Sequence, residues 1–265
     1  MLKYDYSGLK RLQVKDDVLH RLLYAVDASV YKIYPAGVCF PKNKEDIIEL
    51  VDFARKNKMP LIPRAGGTSL AGQVVGKGLV VDVSKHFNQI IDFDSKAKKI
   101  VVQPGMVRDD LNDFLAPYQL FFGPNTSTSN RCTIGGMTGN NSSGTTSIKF
   151  GVTRDKVLAL ECVLYDGSVV TFEDLTVEQY REKEKQQNLE GDIYRFIVEK
   201  LSDPLHQENI RIEYPQASVH RRNSGYALDA LLDNFVHPSS PVINLSKLLT
   251  GSEGSLAFVT SITLS

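Results

Sequence analysis

Pro63-Arg64-Ala65-Gly66-Gly67-Thr68-Ser69-Leu70-Ala71-Gly72 directly follows a short apolar run, Pro60 to Pro63, that reads as a strand. Adjacent glycines carry no Cβ, so the backbone can turn tightly and approach an oxyanion closely. Successive amide N–H groups in such a turn form a concave nest for phosphate. Thr68 and Ser69 add hydroxyl donors and Arg64 a positive charge. This is not a Walker loop, because Gly72-Gln73-Val74-Val75-Gly76-Lys77-Gly78 has the wrong spacing and a glycine where Ser or Thr should hold magnesium. It is not the Gly-x-Gly-x-x-Gly dinucleotide fingerprint either, and no helix opens clearly after it. Taken alone, a tight structural turn explains the stretch nearly as well as a phosphate site.

On the N-terminal side, Asn43 to Lys58 predicts a helix capped by Asn43, with Asp46 near its positive end. Ile47, Leu50, Val51 and Ala54 recur at helical spacing, so one face is buried. With Gly37 to Phe40 before it and Pro60 to Pro63 after it, the pattern is strand, helix, strand, joined by a right-handed parallel crossover. Gly78 to Val83 is a further strand. Beyond it come a strand at Lys98 to Gln103 and a short helix at Val107 to Leu115. Val157 to Tyr165 and Ser168 to Phe172 form a hairpin turned by Asp166-Gly167. Glu178 to Glu190, rich in Glu, Lys, Gln and Arg, reads as a solvated helix or an exposed insertion. Asp192 to Leu201 carries the stripe Ile193, Phe196, Ile197 and Leu201. Parallel strands first and antiparallel strands later imply an α+β fold of two lobes rather than one doubly wound sheet, divided near residue 85 into 1–85 and 86–265.

Two further stretches change the odds for the first. Gly123-Pro124-Asn125-Thr126-Ser127-Thr128-Ser129 leads through Arg131 and Cys132 to Thr133-Ile134-Gly135-Gly136-Met137-Thr138-Gly139-Asn140-Asn141-Ser142-Ser143-Gly144. A loop of this length inside a compact domain is usually functional or disordered. Ile134 and Met137 point to anchoring. Its backbone amides could serve the polar edge of a flat ring. Thr250-Gly251-Ser252-Glu253-Gly254-Ser255 then delivers the chain into an apolar strand ending at Ser265.

Composition narrows the alternatives. The 265 residues carry 31 basic and 31 acidic side chains, which leaves no electrostatic footprint for nucleic acid. No run approaches the ~18 apolar residues of a membrane helix, and Met1 to Gly8 lacks an apolar signal-peptide core. Cys39, Cys132 and Cys162 suggest neither a disulfide framework nor a zinc site; three buried thiols in a reducing cytoplasm are expected.

The three loops, in this order, resemble those of the FAD-linked oxidase superfamily, the vanillyl-alcohol oxidase or PCMH-type flavoproteins. Within it the chain is similar to the glycolate oxidase, D-lactate and D-2-hydroxyglutarate dehydrogenase branch, and to bacterial fusions of this flavin domain with a C-terminal iron–sulfur region. Asp27-Ala28-Ser29-Val30-Tyr31 and Pro35-Ala36-Gly37-Val38 resemble the family's leading segment. The resemblance implies a PCMH-type FAD-binding domain of two α+β subdomains with FAD between them. It assigns Arg64, Ala65, Gly66, Gly67, Thr68, Ser69 and Gly72 to the pyrophosphate, with Pro63 and Gln73 counted among the cofactor-binding residues. Pro104 and Gly105 would border the cofactor. Thr133, Gly135, Gly136, Asn140, Asn141, Ser143 and Gly144 would line the pyrophosphate and flavin, and Pro124 is included with them. Glu253, Gly254 and Val259 would complete the pocket. Asn223-Ser224-Gly225-Tyr226-Ala227-Leu228 matches a family segment that supports the flavin site. Asp233 to Ser246 is a departure, wider than in the smaller relatives.

The implied reaction is hydride transfer from a D-2-hydroxy acid, a small-molecule substrate of the full protein, to flavin. A substrate cap and any iron–sulfur cluster would belong to a longer parent protein, not to this chain, and the residues single out no electron acceptor. The base in such a reaction is usually histidine. His20, His86, His206, His220 and His237 all lie outside the glycine loops, so residues 1–265 are expected to be catalytically silent. Arg131 could meet a substrate carboxylate or be a plain surface arginine. The flavin is expected to be held non-covalently, since Thr68, not histidine, follows Gly66-Gly67; Cys132 is the residue that could form a link instead, with Arg131 placed to lower its pKa. A free-standing FAD-binding module without catalysis is the alternative. A reductase of the enolpyruvyl-UDP-sugar type fits less well, because Gly251 to Thr260 continues the dehydrogenase pattern.

Overall fold

The computed structural model describes residues 4–216, 218–219, 221–222, 225–236 and 242–265. A short helix, α1 (Val18–Leu23), begins at Asp17, whose side chain accepts from the His20 amide. After β1 (Gly37–Cys39), helix α2 (Lys44–Asn57) starts at Asn43, whose side chain accepts the Asp46 N–H at 3.0 Å, and ends at Lys58 in the left-handed region. Its buried face is Ile47, Leu50, Val51, Phe53 and Ala54. Strands β2 (Leu61–Arg64) and β3 (Leu79–Asp82) follow, and β3 lies between β1 and β2, parallel to both. Strand, helix, strand is therefore correct, with β3 inserted between the two strands that the helix connects. Every residue of β3 is buried, as expected of a central parallel strand.

The second sheet is antiparallel throughout. Its strands are β4 (Ile90–Asp94), β5 (Lys99–Val102), β6 (Val157–Val163), β7 (Val169–Phe172) and β8 (Phe258–Leu264), in the order β4-β5-β8-β6-β7. Between β5 and β6 stand α3 (Arg108–Leu115), α4 (Ile134–Asn140), α5 (Ser147–Phe150) and α6 (Thr153–Lys156). After β7 come α7 (Val177–Glu184), α8 (Leu189–Ser202), α9 (Pro204–Glu213), α10 (Leu228–Val236) and α11 (Ser246–Leu249). The Asp166-Gly167 hairpin forms as read, with Gly167 at φ 89°. Strand β8 alternates buried and half-buried residues and occupies the sheet centre, so the last strand in sequence completes the core. Phe258 and Val163 of this sheet pack into the core of the first. The two sheets therefore share apolar contacts.

Three sequence expectations are corrected. Strand β4 was not foreseen: its Asp92 and Asp94 face solvent and only Ile90 and Phe93 are partly buried. The second glycine-rich stretch contains helix α4, because Thr133 supplies an N-cap that outweighs the low propensity of its glycines. On α8 the buried aromatic is Tyr194, while Phe196 is 56% exposed. The charge-rich segment does form a helix, α7, anchored by Tyr180, whose hydroxyl donates to the Tyr194 carbonyl at 3.1 Å. Among the described residues, no helix is long and apolar enough to cross a membrane.

Candidate functional site

The first glycine-rich loop leaves β2 at Arg64 and returns to β3. A Cβ at Gly66 would stand 2.5 Å from the Arg131 carbonyl oxygen, so only glycine lets this loop lie against the second one. Gly67 has φ +61° and sits directly over the Arg64 guanidinium. The amides of Gly66, Gly67, Thr68, Ser69 and Leu70 donate to no described residue. Such a run of unpaired donors is the nest expected for phosphate. The Ser69 hydroxyl, in contrast, is already committed, donating to Asp27 Oδ2 at 2.6 Å. Arg64 lies over the Tyr24 ring at 5.1 Å, and its buried Nη1 has no hydrogen-bond partner. Burial lowers the pKa of this guanidinium, opposed by the negative fields of Tyr24, Asp82 and Asp27.

The second loop is organised by α4. Ile134 and Met137 are fully buried and anchor it, as the sequence suggested. Its first amides are consumed internally: Ile134 N–H donates to the Met106 carbonyl and Gly135 N–H to the Pro104 carbonyl, both at 2.8 Å, and Gly136 N–H to Thr133 Oγ1 at 3.3 Å. Gly135 is a packing glycine, since a Cβ there would be 2.4 Å from the Pro104 Cβ. Gly136 is different. It is exposed, and a Cβ on it would meet only the Ala65 Cβ at 3.4 Å and Thr133 Oγ1 at 3.6 Å. The face of α4 toward the first loop is therefore open at this residue. Pro104 and Gly105 are buried beneath it, with Gly105 pressed against the carbonyls of Val83 and Phe87. Pro124 is buried and its carbonyl accepts from Arg108 Nε at 3.1 Å; Gly144 packs on Asn125.

Asn140 is exposed and donates to Ser142 Oγ. Asn141, assigned to the cofactor by resemblance, is wholly buried with φ 48°; its Oδ1 accepts the Arg154 N–H at 2.9 Å and its Nδ2 donates to the Arg222 carbonyl. The Ser143 and Thr138 hydroxyls are buried without a partner.

The third loop ties the other two together. Gly251 N–H donates to the Thr138 carbonyl at 2.9 Å and Glu253 N–H to the Gly139 carbonyl at 2.8 Å. Gly254, at φ +75°, lies against Pro63, and Glu253 Oε1 accepts from Gln73 Nε2 at 3.2 Å. Val259 is half-buried in β8 opposite Cys162. The three glycine-rich stretches thus converge, as their reading required. A buried cation, Arg154, holds the third stretch, a half-buried one, Lys247, braces the backbone beside it, and neither stood out in sequence. Arg154 donates to the Thr250 carbonyl through Nη2 at 2.7 Å and through Nε, which also reaches the Lys247 carbonyl. Lys247 donates to the carbonyls of Arg154 and Val157. Their isolated positions give no periodic or glycine signal.

Arg131 does not act on Cys132. Its exposed side chain donates to Asn130, and the cation that opposes the burial of the thiol is Arg108. Cys132 is 4% exposed, accepts a hydrogen bond from the Thr126 hydroxyl at 3.1 Å, and has its pKa raised by burial. His20 pairs with Asp17, and His206 meets the Lys200 carbonyl; neither reaches the glycine loops. His220, His237, Asn223 and Ser224 lie outside the described residues, as do residues 237–241 of the wide departure. An apolar cavity of about 260 Å³ lies elsewhere, between α3, Phe150 and the end of β8.

The sequence signature described as FAD binding domain spans residues 35–173, more than half of the chain. D-2-hydroxyglutarate dehydrogenase of Escherichia coli (strain K12) is 34% identical over 244 residues, covering 91% of this chain and 23% of that protein. Glycolate oxidase subunit GlcD of Bacillus subtilis (strain 168) is 36% identical over 152 residues, 57% of this chain and 32% of that protein. The chain thus spans about a quarter of the length of the D-2-hydroxyglutarate dehydrogenase it matches. Alkyldihydroxyacetonephosphate synthase has the same fold, with a TM-score of 0.62 at 19% identity over 95% of this chain and 40% of its own. An amide nest beside an open glycine fits a dinucleotide's phosphates, and with the signature over residues 35–173 it follows that the chain belongs to the FAD binding domain family.

Proposed function

We propose that the chain is the flavin-holding part of a dehydrogenase that oxidises a D-2-hydroxy acid of the lactate, glycolate or 2-hydroxyglutarate class. The observation that carries this reading is the run of unpaired amides from Gly66 to Leu70, which begins next to Ala65, the residue that Gly136 of α4 approaches. These amides hold the pyrophosphate of FAD. Ser143, with its buried partnerless hydroxyl, and the exposed Asn140 contribute polar groups on the α4 side. Asn141 supports the site by fixing Arg154. Bound flavin supplies the hydride acceptor for such an oxidation. The division into flavin-binding subdomains falls near residue 85, between β3 and β4. The cytoplasm is the compartment this reading favours, with Cys39, Cys132 and Cys162 all free and buried.

Titration of purified residues 1–265 with FAD in a calorimeter should give saturable binding, tighter than that of ATP. The same preparation should not turn over D-lactate, glycolate or D-2-hydroxyglutarate with a dye acceptor. Substrate positioning supplies much of an enzyme's rate, and neither His20 nor His206 hydrogen-bonds to the loops. ATP binding without FAD binding defeats the proposal, and steady turnover defeats the expected silence.

The flavin is held without a covalent bond. A reactive thiol must be exposed and deprotonated, and Cys132 is neither. Acid precipitation of the FAD-loaded protein should leave all yellow colour in the supernatant. Colour in the pellet, with a matching mass increase on the Cys132 peptide, decides for a link.

A further inference from the structure

The leading segment of the chain touches the back of the phosphate loop at three points. Tyr24 lies under the Arg64 guanidinium, with ring centroid and Cζ 5.1 Å apart. Asp27 Oδ2 accepts the Ser69 hydroxyl at 2.6 Å. The Tyr31 ring fills the space beside Gly72, where a Cβ would come within 2.7 Å of it. Each contact joins residues far apart in sequence, and together they bracket the loop from its first residue to its last glycine.

The supports are themselves fixed. The Tyr24 hydroxyl donates to Asp82 Oδ2 at 2.5 Å, and its ring meets Phe40 edge-on at 6.0 Å. Asp82 is buried at the end of β3, and its other oxygen accepts the amide and hydroxyl of Ser84 at 2.8 and 2.6 Å. Asp27 Oδ1 accepts the Ser29 amide at 2.8 Å. The donors from Gly66 to Leu70 are thus held on a frame that exists before any ligand arrives. Preorganisation of this kind removes the ordering cost from binding.

Arg64 adds charge to that frame. Asp27 and Asp82 are near enough to favour its charged form, yet the residues forming ion pairs within 4.0 Å do not include it, and Nη1 lacks a hydrogen-bond partner. A guanidinium held by an aromatic face keeps its positive field, whereas a direct carboxylate pair would cancel it. That field lies against the loop, since a Cβ at Gly67 would be 2.6 Å from Arg64 Nη2, and it favours an anion at the five unpaired amides.

We propose that Tyr24 and Asp27 are positioning residues for the pyrophosphate: Tyr24 holds Arg64 as an unneutralised cation behind the loop, and Asp27 pins Ser69 so that the amides stay presented. This rests on the reading of the loop as the FAD pyrophosphate site. The test uses Tyr24→Leu, Tyr24→Phe and Asp27→Ala, with FAD affinity by calorimetry, ADP affinity by competition with FAD, and the melting temperature of the ligand-free protein. Tyr24→Leu and Asp27→Ala should weaken FAD and ADP by the same factor, about tenfold for the lost ring contact; Tyr24→Leu also lowers ligand-free melting, because buried Asp82 loses its hydroxyl donor, a loss it shares with Tyr24→Phe. Tyr24→Phe keeps the ring and should retain most of the affinity. The proposal falls if both variants bind FAD as the wild type does, if FAD weakens while ADP does not, or if only melting changes. Failure of the wild-type chain to bind FAD, or of ADP to compete with it, would instead remove the pyrophosphate reading itself and this inference with it.

Discussion

Replacing Gly136 by valine is expected to weaken FAD binding about 10- to 100-fold while the protein still folds, the usual penalty when added methyl groups overfill a fitted space. A Cβ at Gly136 meets nothing closer than 3.4 Å, and the residue does not have a positive φ. The ligand-free protein therefore has room for a Cβ here, and helix α4 exchanges one of its three glycines for a residue of higher helix propensity. The added methyl groups project toward Ala65, across the opening between the first and second loops. Gly135→Ala is the control. Its Cβ would stand 2.4 Å from the Pro104 Cβ and 2.7 Å from the Pro104 oxygen, so this smaller change should damage the fold, by about 1–3 kcal/mol. Calorimetric FAD titrations beside thermal melts of both variants check the pair. Normal FAD affinity in Gly136→Val would show that the ligand does not pass between these loops.

Arg154→Leu should have the largest effect on stability. Arg154 is 8% exposed, and its guanidinium donates to the carbonyls of Lys247 and Thr250. Leucine fills part of the volume but leaves those carbonyls without their donor, and unmet buried acceptors cost about 1–3 kcal/mol each. Asp229 keeps its ion pair with Arg222 and loses only the field of the second cation. A total near 3–5 kcal/mol follows, roughly 6–20 °C in melting temperature for a chain of this size. Leucine keeps the Arg154 backbone N–H on Asn141 but loses the side-chain bonds to Thr250, so the third loop loosens against the second and FAD affinity should fall with stability. Arg154→Lys retains charge but cannot reach both carbonyls with one planar group, so it should recover only part of the loss. Equal melting temperatures for wild type and Arg154→Leu would exclude the clamp.

The elements that sequence reading placed correctly owe their form to neighbours a few residues away. Asn43 caps α2 through an amide three positions on, Asp166-Gly167 turns the hairpin within itself, and β3 announces itself by the apolar run Leu79 to Val81. Strand β4 lacks an apolar signature because three of its five residues face water, and α4 is hidden by Gly135 and Gly136 in a helix whose start is set by Thr133. Phe196 was taken for core because spacing cannot tell which side of α8 a neighbour will cover; Tyr194 took that place.

The amino-acid order by itself determined that three glycine-rich stretches alternate with strands and that the chain resembles an FAD-linked flavoprotein. Those are properties of local backbone freedom and of residue order, and both survive without coordinates. Tertiary structure decided which glycine is which: Gly66 and Gly135 permit packing, while Gly136 stays open to a ligand. It also decided that the first α4 amides are spent on Pro104 and Met106, while those from Gly66 to Leu70 form an unbroken run of free donors. Tyr24, Asp27 and Arg154 gained their roles in the same way. Asp27 reaches Ser69 across 42 positions and Arg154 reaches Thr250 across 96, and no local pattern records a hydrogen bond between residues brought together only when the sheets and loops assemble.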